Sequence, residues 1–318
     1  MKRNVSALAA LGWIALAAGS VVTGQEPAPE PTPAPAETPE PAKQEPARFR
    51  PIESNVIVNL PSVEVPPEGT LTFLVTHRFT ERIQNGNIQN FFTLDKGNTW
   101  GFGLWYAPIR NLNVGFYRSS DLDVYEASAQ YELPRMGGFG ASLRVGEDWR
   151  TDVETVSPHS SFFVQAILAY SFGPYVRLTA VPSYLQRTTS FIQVFPQPGF
   201  PTPPPGDRSC KPLPSDNTTF LCHGLYENFF NVPVGVSIAL THSITVHGEV
   251  IPRRGIADSS GVGWSVTVEK SLLRHRFAFF AGNQRKTTLD QYLQSIPFTD
   301  RPGNVYIGFN LFRQWKLK

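Results

Sequence analysis

The chain has 318 residues, a net charge of +2 and only 17% charged residues, so it carries no basic stripe and nothing that points to a nucleic-acid partner. Its mean hydropathy is -0.18, and no internal apolar run reaches the length of a spanning helix, which excludes a multi-helix membrane protein. Alternating strands that span a membrane also average to a modest hydropathy, and the 23 Phe and 25 Gly suit them.

The chain opens as an address. Lys2 and Arg3 precede an apolar run over 5–18 and small residues up to 24, the pattern of a secretory signal peptide over 1–24. Residues 25–51 form a Pro/Ala/Glu-rich linker, with prolines from Pro27 to Pro46. Such a composition buries too little apolar surface to fold, so a disordered, extended tether is expected. Residues 52–318 form the remaining domain. Its first stretch, 52–69, is apolar but broken by Pro61, Pro66 and Pro67; it is placed at the mouth of the fold or as a partial plug.

From Gly69 onwards the sequence alternates with period two. The clearest case is 98–119. Trp100, Phe102, Leu104 and Tyr106 share one face, with Thr99, Gly101, Gly103, Trp105 and Ala107 on the other. After a turn, Leu112, Val114 and Phe116 oppose Asn113, Gly115 and Tyr117. Strands are expected at 70–79, in both arms of this hairpin, and at 123–133, 139–149, 161–172, 175–186, 229–240, 243–251, 261–270, 275–283 and 304–315, about twelve in all. The joins alternate between short (APIRN, PRMGG, GP, TH, SLLR) and longer, the longest being 187–228. A soluble β-sandwich has no reason to gather its long loops at one end. A transmembrane antiparallel barrel does, with short periplasmic turns and long outer loops. Closure follows physically, because strands in lipid can pair every backbone group only in a closed sheet.

The fold class read from these patterns is all-β, an antiparallel transmembrane β-barrel. The expected location is a bacterial outer membrane with N- and C-termini periplasmic. The expected partners are outer-membrane lipid and the barrel-assembly machinery, which reads the aromatic terminal strand. Small solutes join them if the lumen is open.

The runs LVTHRF and NFFTLDKGNTWGFGLWYAPIRNLNVGFYRSS, the preceding NLPS and the terminal NVYIGFNLFRQW also resemble an uncharacterised family of bacterial outer-membrane β-barrel proteins, a domain of unknown function. The resemblance covers roughly 52–315. Its most specific parts are Thr76-His77-Arg78-Phe79, Leu94-Asp95 and Tyr117-Arg118-Ser119-Ser120. It implies an outer-membrane location and neither a substrate nor catalytic residues.

The polar phase of the strands supplies the candidate lumen-lining residues Arg78, Glu126, Glu132, Arg144, Arg177, His247, Glu249, Glu269 and Arg276. Opposite charges on neighbouring strands can pair across the interior. Two readings follow, a narrow pore for passive passage of small solutes and a closed polar core whose outer loops bind a partner. No motif marks a catalytic site, a cofactor or a metal, and the chain reads as a non-enzyme. His77, His242, His247 and His275 are catalytic candidates by residue type alone. Cys210 and Cys222 share the longest loop. In an exported chain they are expected to form a disulfide; the adjacent His223 admits a weaker metal reading. Finally, Leu289, Tyr292, Leu293 and Ile296 have helical spacing between Thr287–Thr288 and Pro297. They predict a short outer-loop helix packed on the barrel rim or folded into its mouth.

Overall fold

The computed structural model describes residues 56–89, 94–95, 97–121, 123–151, 160–188, 191–194, 210–213, 216–223, 227–252, 262–284, 286–293 and 303–317. The signal peptide and the linker lie outside them. In chain order the strands begin β1 (Thr70–Phe79), β2 (Asn98–Ile109), β3 (Leu112–Ser119), β4 (Val124–Glu132), β5 (Phe139–Arg150) and β6 (Ser160–Phe172). They continue as β7 (Val176–Ala180), β8 (Ser183–Thr188), β9 (Phe191–Val194), β10 (Cys210–Leu213), β11 (Asp216–His223) and β12 (Glu227–Asn231). The last are β13 (Val234–Ala239), β14 (Ile244–Ile251), β15 (Gly263–Leu272), β16 (His275–Gly282) and β17 (Tyr306–Lys316), with a short α-helix, α1 (Leu289–Leu293), before β17.

Neighbouring strands pair antiparallel all the way round. The ring closes where β1 pairs β17, in the register Thr70↔Lys316 to Arg78↔Gly308. Segments β7 and β8 are two halves of one stave, and β12 and β13 two halves of the next, giving a closed barrel of twelve staves. The expectation of two unbroken strands over 175–186 and 229–240 is corrected here. Proline has no N–H to give to a ladder, and the staves are interrupted at Val181–Pro182 and Val232–Pro233. Within the long join over 187–228, β10, β11 and β9 form a separate three-stranded sheet.

The alternation read from the sequence sorts the two faces. In β1, β16 and β17 buried and more exposed positions alternate strictly along most of the strand. Phe102, Leu104, Phe116, Leu143, Leu168, Val266 and Phe279 lie exposed on the outer face. An apolar belt on that scale is the surface a membrane barrel turns to lipid. The inner face holds Thr72, Thr76, Asn113, Gln165, Thr267 and Asn310, all buried. Glycine makes room for inward aromatics. A Cβ at Gly115 would stand 1.8 Å from Trp105 Cδ1, and one at Gly101 would stand 2.0 Å from the Tyr117 hydroxyl.

Candidate functional site

The interior is occupied by the chain itself. Residues 57–66, just ahead of β1, are all buried. Their tip is a tight turn: the Ile57 N–H donates to the Leu60 carbonyl at 2.7 Å, and Val56 bridges Pro61. Successive N–H groups on such a turn form an anion-binding concavity. Here the N–H groups of Val58, Asn59 and Leu60 all donate to Glu249 Oε1, at 2.8, 2.7 and 2.7 Å. Ser265 Oγ and Asn59 Nδ2 donate to the other carboxylate oxygen at 3.0 and 3.3 Å. The wall grips the rest of the strap by its main chain. Asn310 Nδ2 donates to the Val58 carbonyl at 3.1 Å and Gln130 Nε2 to the Ser62 carbonyl at 2.8 Å. Glu132 Oε2 accepts the Val65 N–H at 2.8 Å. Glu64, the one acid of the strap, pairs with Arg177 and, at 3.4 Å, with Arg135.

The nine candidate lumen-lining positions fall into three groups. Arg78, Glu132, Arg177 and Glu249 hold the strap, Arg78 reaching Asn59 Oδ1 at 3.3 Å and Asn310 Oδ1 at 2.8 Å. Glu126 and Arg144 form a buried ion pair across β4 and β5, extended by Arg144 to Gln165 at 2.7 Å. His247, Glu269 and Arg276 lie on the inward side of β14, β15 and β16. There Ser237 Oγ meets His247 Nδ1 at 2.8 Å, while His247 Nε2 stands 4.0 Å from Glu269. That Ser–His–Glu line has a gap beyond hydrogen-bond reach at its acid end. Of the other histidines, His77 sits on the outer face stacked on Phe309, with centroids 5.0 Å apart, and His275 stacks on Phe277.

A second element closes the barrel from the long-loop end. In α1, Leu289, Tyr292 and Leu293 are buried in one apolar cluster with Ile57, Leu60, Phe163, Ile167 and Leu185. The helix therefore folds inward rather than onto the rim; Ile296 lies outside the described residues. Lys286 pairs with Asp121 and Thr287 donates to Ser119 Oγ at 3.2 Å, anchoring the loop to the long-loop end of β3. Between strap, helix and wall remains a cavity of about 50 Å³ lined by Thr76, Asn113, Tyr117, Gln130 and Arg144. That is room for a few waters.

Sequence reading missed the neutral grips, Gln130 and Asn310, and Glu64 of the strap. The signal for the first two was their place in the polar phase of strong strands. For Glu64 it was a lone acid in an apolar, proline-broken stretch. Opposite backbone positions in β10 and β11 bring Cys210 and Cys222 into register; their side chains lie outside the described part of the structure.

A closed antiparallel barrel with an apolar outer belt and a polar interior defines an outer-membrane β-barrel protein. The chain belongs to the membrane bound beta barrel domain family (DUF5777), whose model matches residues 52–315. No curated protein matches the sequence. Among solved structures the NanC porin is similar at 4% identity and a TM-score of 0.41, covering 77% of this chain and 98% of the porin. Outer membrane phospholipase A from Escherichia coli is similar at 10% identity and a TM-score of 0.38, covering 84% and 98%. CdiB from Acinetobacter baumannii follows at 12% identity and a TM-score of 0.28, covering 78% and 60%.

Proposed function

We propose that this protein is a narrow outer-membrane pore for small polar solutes, held shut by residues 56–66 and α1. It is read as a non-enzyme, and Arg78, Glu126, Glu132, Arg144, Arg177, His247, Glu249, Glu269 and Arg276 line the passage when the strap is out. The observation that carries this reading is the Glu249 carboxylate. It is a buried charge of the wall whose hydrogen bonds come mostly from a segment that is not part of the wall. A carboxylate buried without donors is costly, so its partners alternate between the strap and water. Both ends of the barrel's chain leave at the short-turn end, which this reading places in the periplasm. Conductance in planar bilayers tests it. The full chain should show rare, brief openings, and a chain lacking 52–66 should show sustained ones. Absence of conductance in a folded strap-deleted chain would remove the pore.

The separate sheet of β9, β10 and β11 favours a second reading, a surface barrel whose outer loops bind a partner. A strap-deleted chain that folds and stays silent in bilayers would select it.

A further inference from the structure

We infer that the barrel wall at Pro182 and Pro233 is a lateral portal, through which one acyl chain of a membrane lipid reaches an apolar sector inside the barrel. This goes beyond the polar pore, because it concerns an apolar sector of the interior and a different ligand.

The first observation is a local failure of the hydrogen-bond ladder. The register runs from Leu168↔Ala180 to Gln165↔Ser183 and from Val234↔Ala180 to Asn231↔Ser183, three residues on each strand, so no bulge intervenes. Ala166 therefore faces Pro182, and Val181 faces Pro233. In each pair one bond of the usual reciprocal two is made: the Ala166 N–H donates to the Pro182 carbonyl and the Val181 N–H to the Pro233 carbonyl, both at 2.9 Å. The return bonds, from nitrogen 182 to the Ala166 carbonyl and from nitrogen 233 to the Val181 carbonyl, cannot form because proline has no N–H. Two adjacent ladders thus lose a bond at the same height. In lipid a missing backbone partner is expensive, and the two prolines stand side by side.

The second observation lies outside. On the lipid-facing surface the same strands bound an apolar groove of about 670 Å³, lined by Leu168, Leu178, Ala180, Val234, Val250 and Val266. Its size is within the roughly 300–1,000 Å³ of small-molecule sites. It lies in the belt that already faces acyl chains, which is why a lipid tail is its occupant. Gly235 and Gly248 thin the wall here. A Cβ on Gly235 would lie 3.1 Å from Ile57 Cδ1 of the strap, so the groove and the interior are separated by little more than backbone.

The third observation lies inside, on β6, the β7–β8 stave and β14. Most of the inner wall is polar, yet Phe163, Ile167, Val181, Leu185 and Ile251 form a fully buried apolar sector. A water path has no use for it. Its present occupants are Ile57 and Leu60 of the strap and Leu289 and Leu293 of α1, apolar side chains standing where a hydrocarbon tail would lie.

The test reconstitutes the full chain in vesicles containing a phospholipid with a photoactivatable diazirine on its acyl chain, and maps adducts by mass spectrometry. Adducts are expected on inward Ile167, Val181 or Leu185 as well as on outward Leu178 and Val234. Replacing both prolines (P182A with P233A) returns the two donors and should leave roughly tenfold fewer inner adducts, with the outer ones unchanged. Adducts on outward residues alone in the unaltered protein overturn the portal, whether or not the double variant folds. So does equal inner labelling with and without the prolines, or cross-linking of two protein copies through the groove with no inner adduct.

Discussion

Glu249 accepts the Leu60 N–H at 2.7 Å from 189 positions further along the chain. It takes the N–H groups of Val58 and Asn59 on the same oxygen, so one side chain of β14 fixes the tip of the strap. Replacing it by alanine removes a charged acceptor and takes the partner from three buried main-chain donors of the strap. Hydrogen bonds to a charged group contribute about 1.5–3 kcal/mol each, so E249A should shift the strap towards its withdrawn form by a hundredfold or more. The measurement is protease cleavage within 56–66 of the refolded protein, read beside single-channel openings. Equal protection of the strap in wild type and E249A would mean that the carboxylate does not hold it.

The barrel itself was legible because lipid imposes a simple rule. Outward positions such as Phe102, Leu104 and Phe116 must be apolar, inward ones such as Thr99, Gly101 and Asn113 are free to be polar, and period two follows. The helix at 289–293 was legible for a similar reason, one apolar stripe between a threonine cap and a proline. The strap was only half legible. Its prolines and apolar residues marked it as irregular, but its main chain makes most of its hydrogen bonds to the wall, and main-chain groups are the same in every residue. The staves broken at Pro182 and Pro233 read as continuous because the side-chain alternation runs through them unchanged; only the donors are missing.

Arg144 and Glu126 form a buried pair between β4 and β5. Removing one partner strands the other charge, a loss of about 3–5 kcal/mol. R144A should therefore lower the temperature at which the folded, fast-migrating gel band converts to the unfolded one. The double variant E126Q with R144M should recover much of the loss. No recovery in the double variant would show that Arg144 acts through packing on Phe163, 5.0 Å from its ring centroid, rather than through the charge.

The outer face makes an opposite demand. Leu104 is exposed on the belt of β2, and arginine there should cost about 2–4 kcal/mol near the bilayer midplane and less towards its edges. Comparing refolding yields of L104R and of I109R, nearer the β2–β3 turn, checks the depth dependence. Equal costs at the two positions would mean that the belt does not lie where the structure puts it.

Cys210 and Cys222 are backbone partners in the β10–β11 register, and the expected disulfide would close a loop worth about 3 kcal/mol against chain entropy. Cells carrying the protein, treated with a membrane-impermeant maleimide, should label neither cysteine until a reductant is added. Labelling without reductant would leave two free thiols on an exported loop. Protection that persists after reduction would place the loop on the far side of the membrane and reverse the proposed orientation.

Leu293 ties α1 to the strap, since both lie in one buried cluster with Ile57 and Leu60. A single short turn of helix in a loop does not hold itself in water, so the position of the described residues of α1 depends on that packing and on the Lys286–Asp121 and Thr287–Ser119 contacts. Deleting 288–293 removes the apolar cover from the strap's outer side and leaves the wall intact. The variant should assemble, migrate as a folded barrel and show larger or more frequent openings than wild type. L293D is the milder probe: a carboxylate placed among Phe163, Ile167 and Leu185 cannot be solvated there, so the helix should leave the interior while the rest of the loop stays. Openings that increase in L293D and increase further when E249A is added would show that helix and strap close the barrel together. If E249A alone opened the channel fully and L293D changed nothing, α1 would be packing for the mouth and the strap would be the only closure.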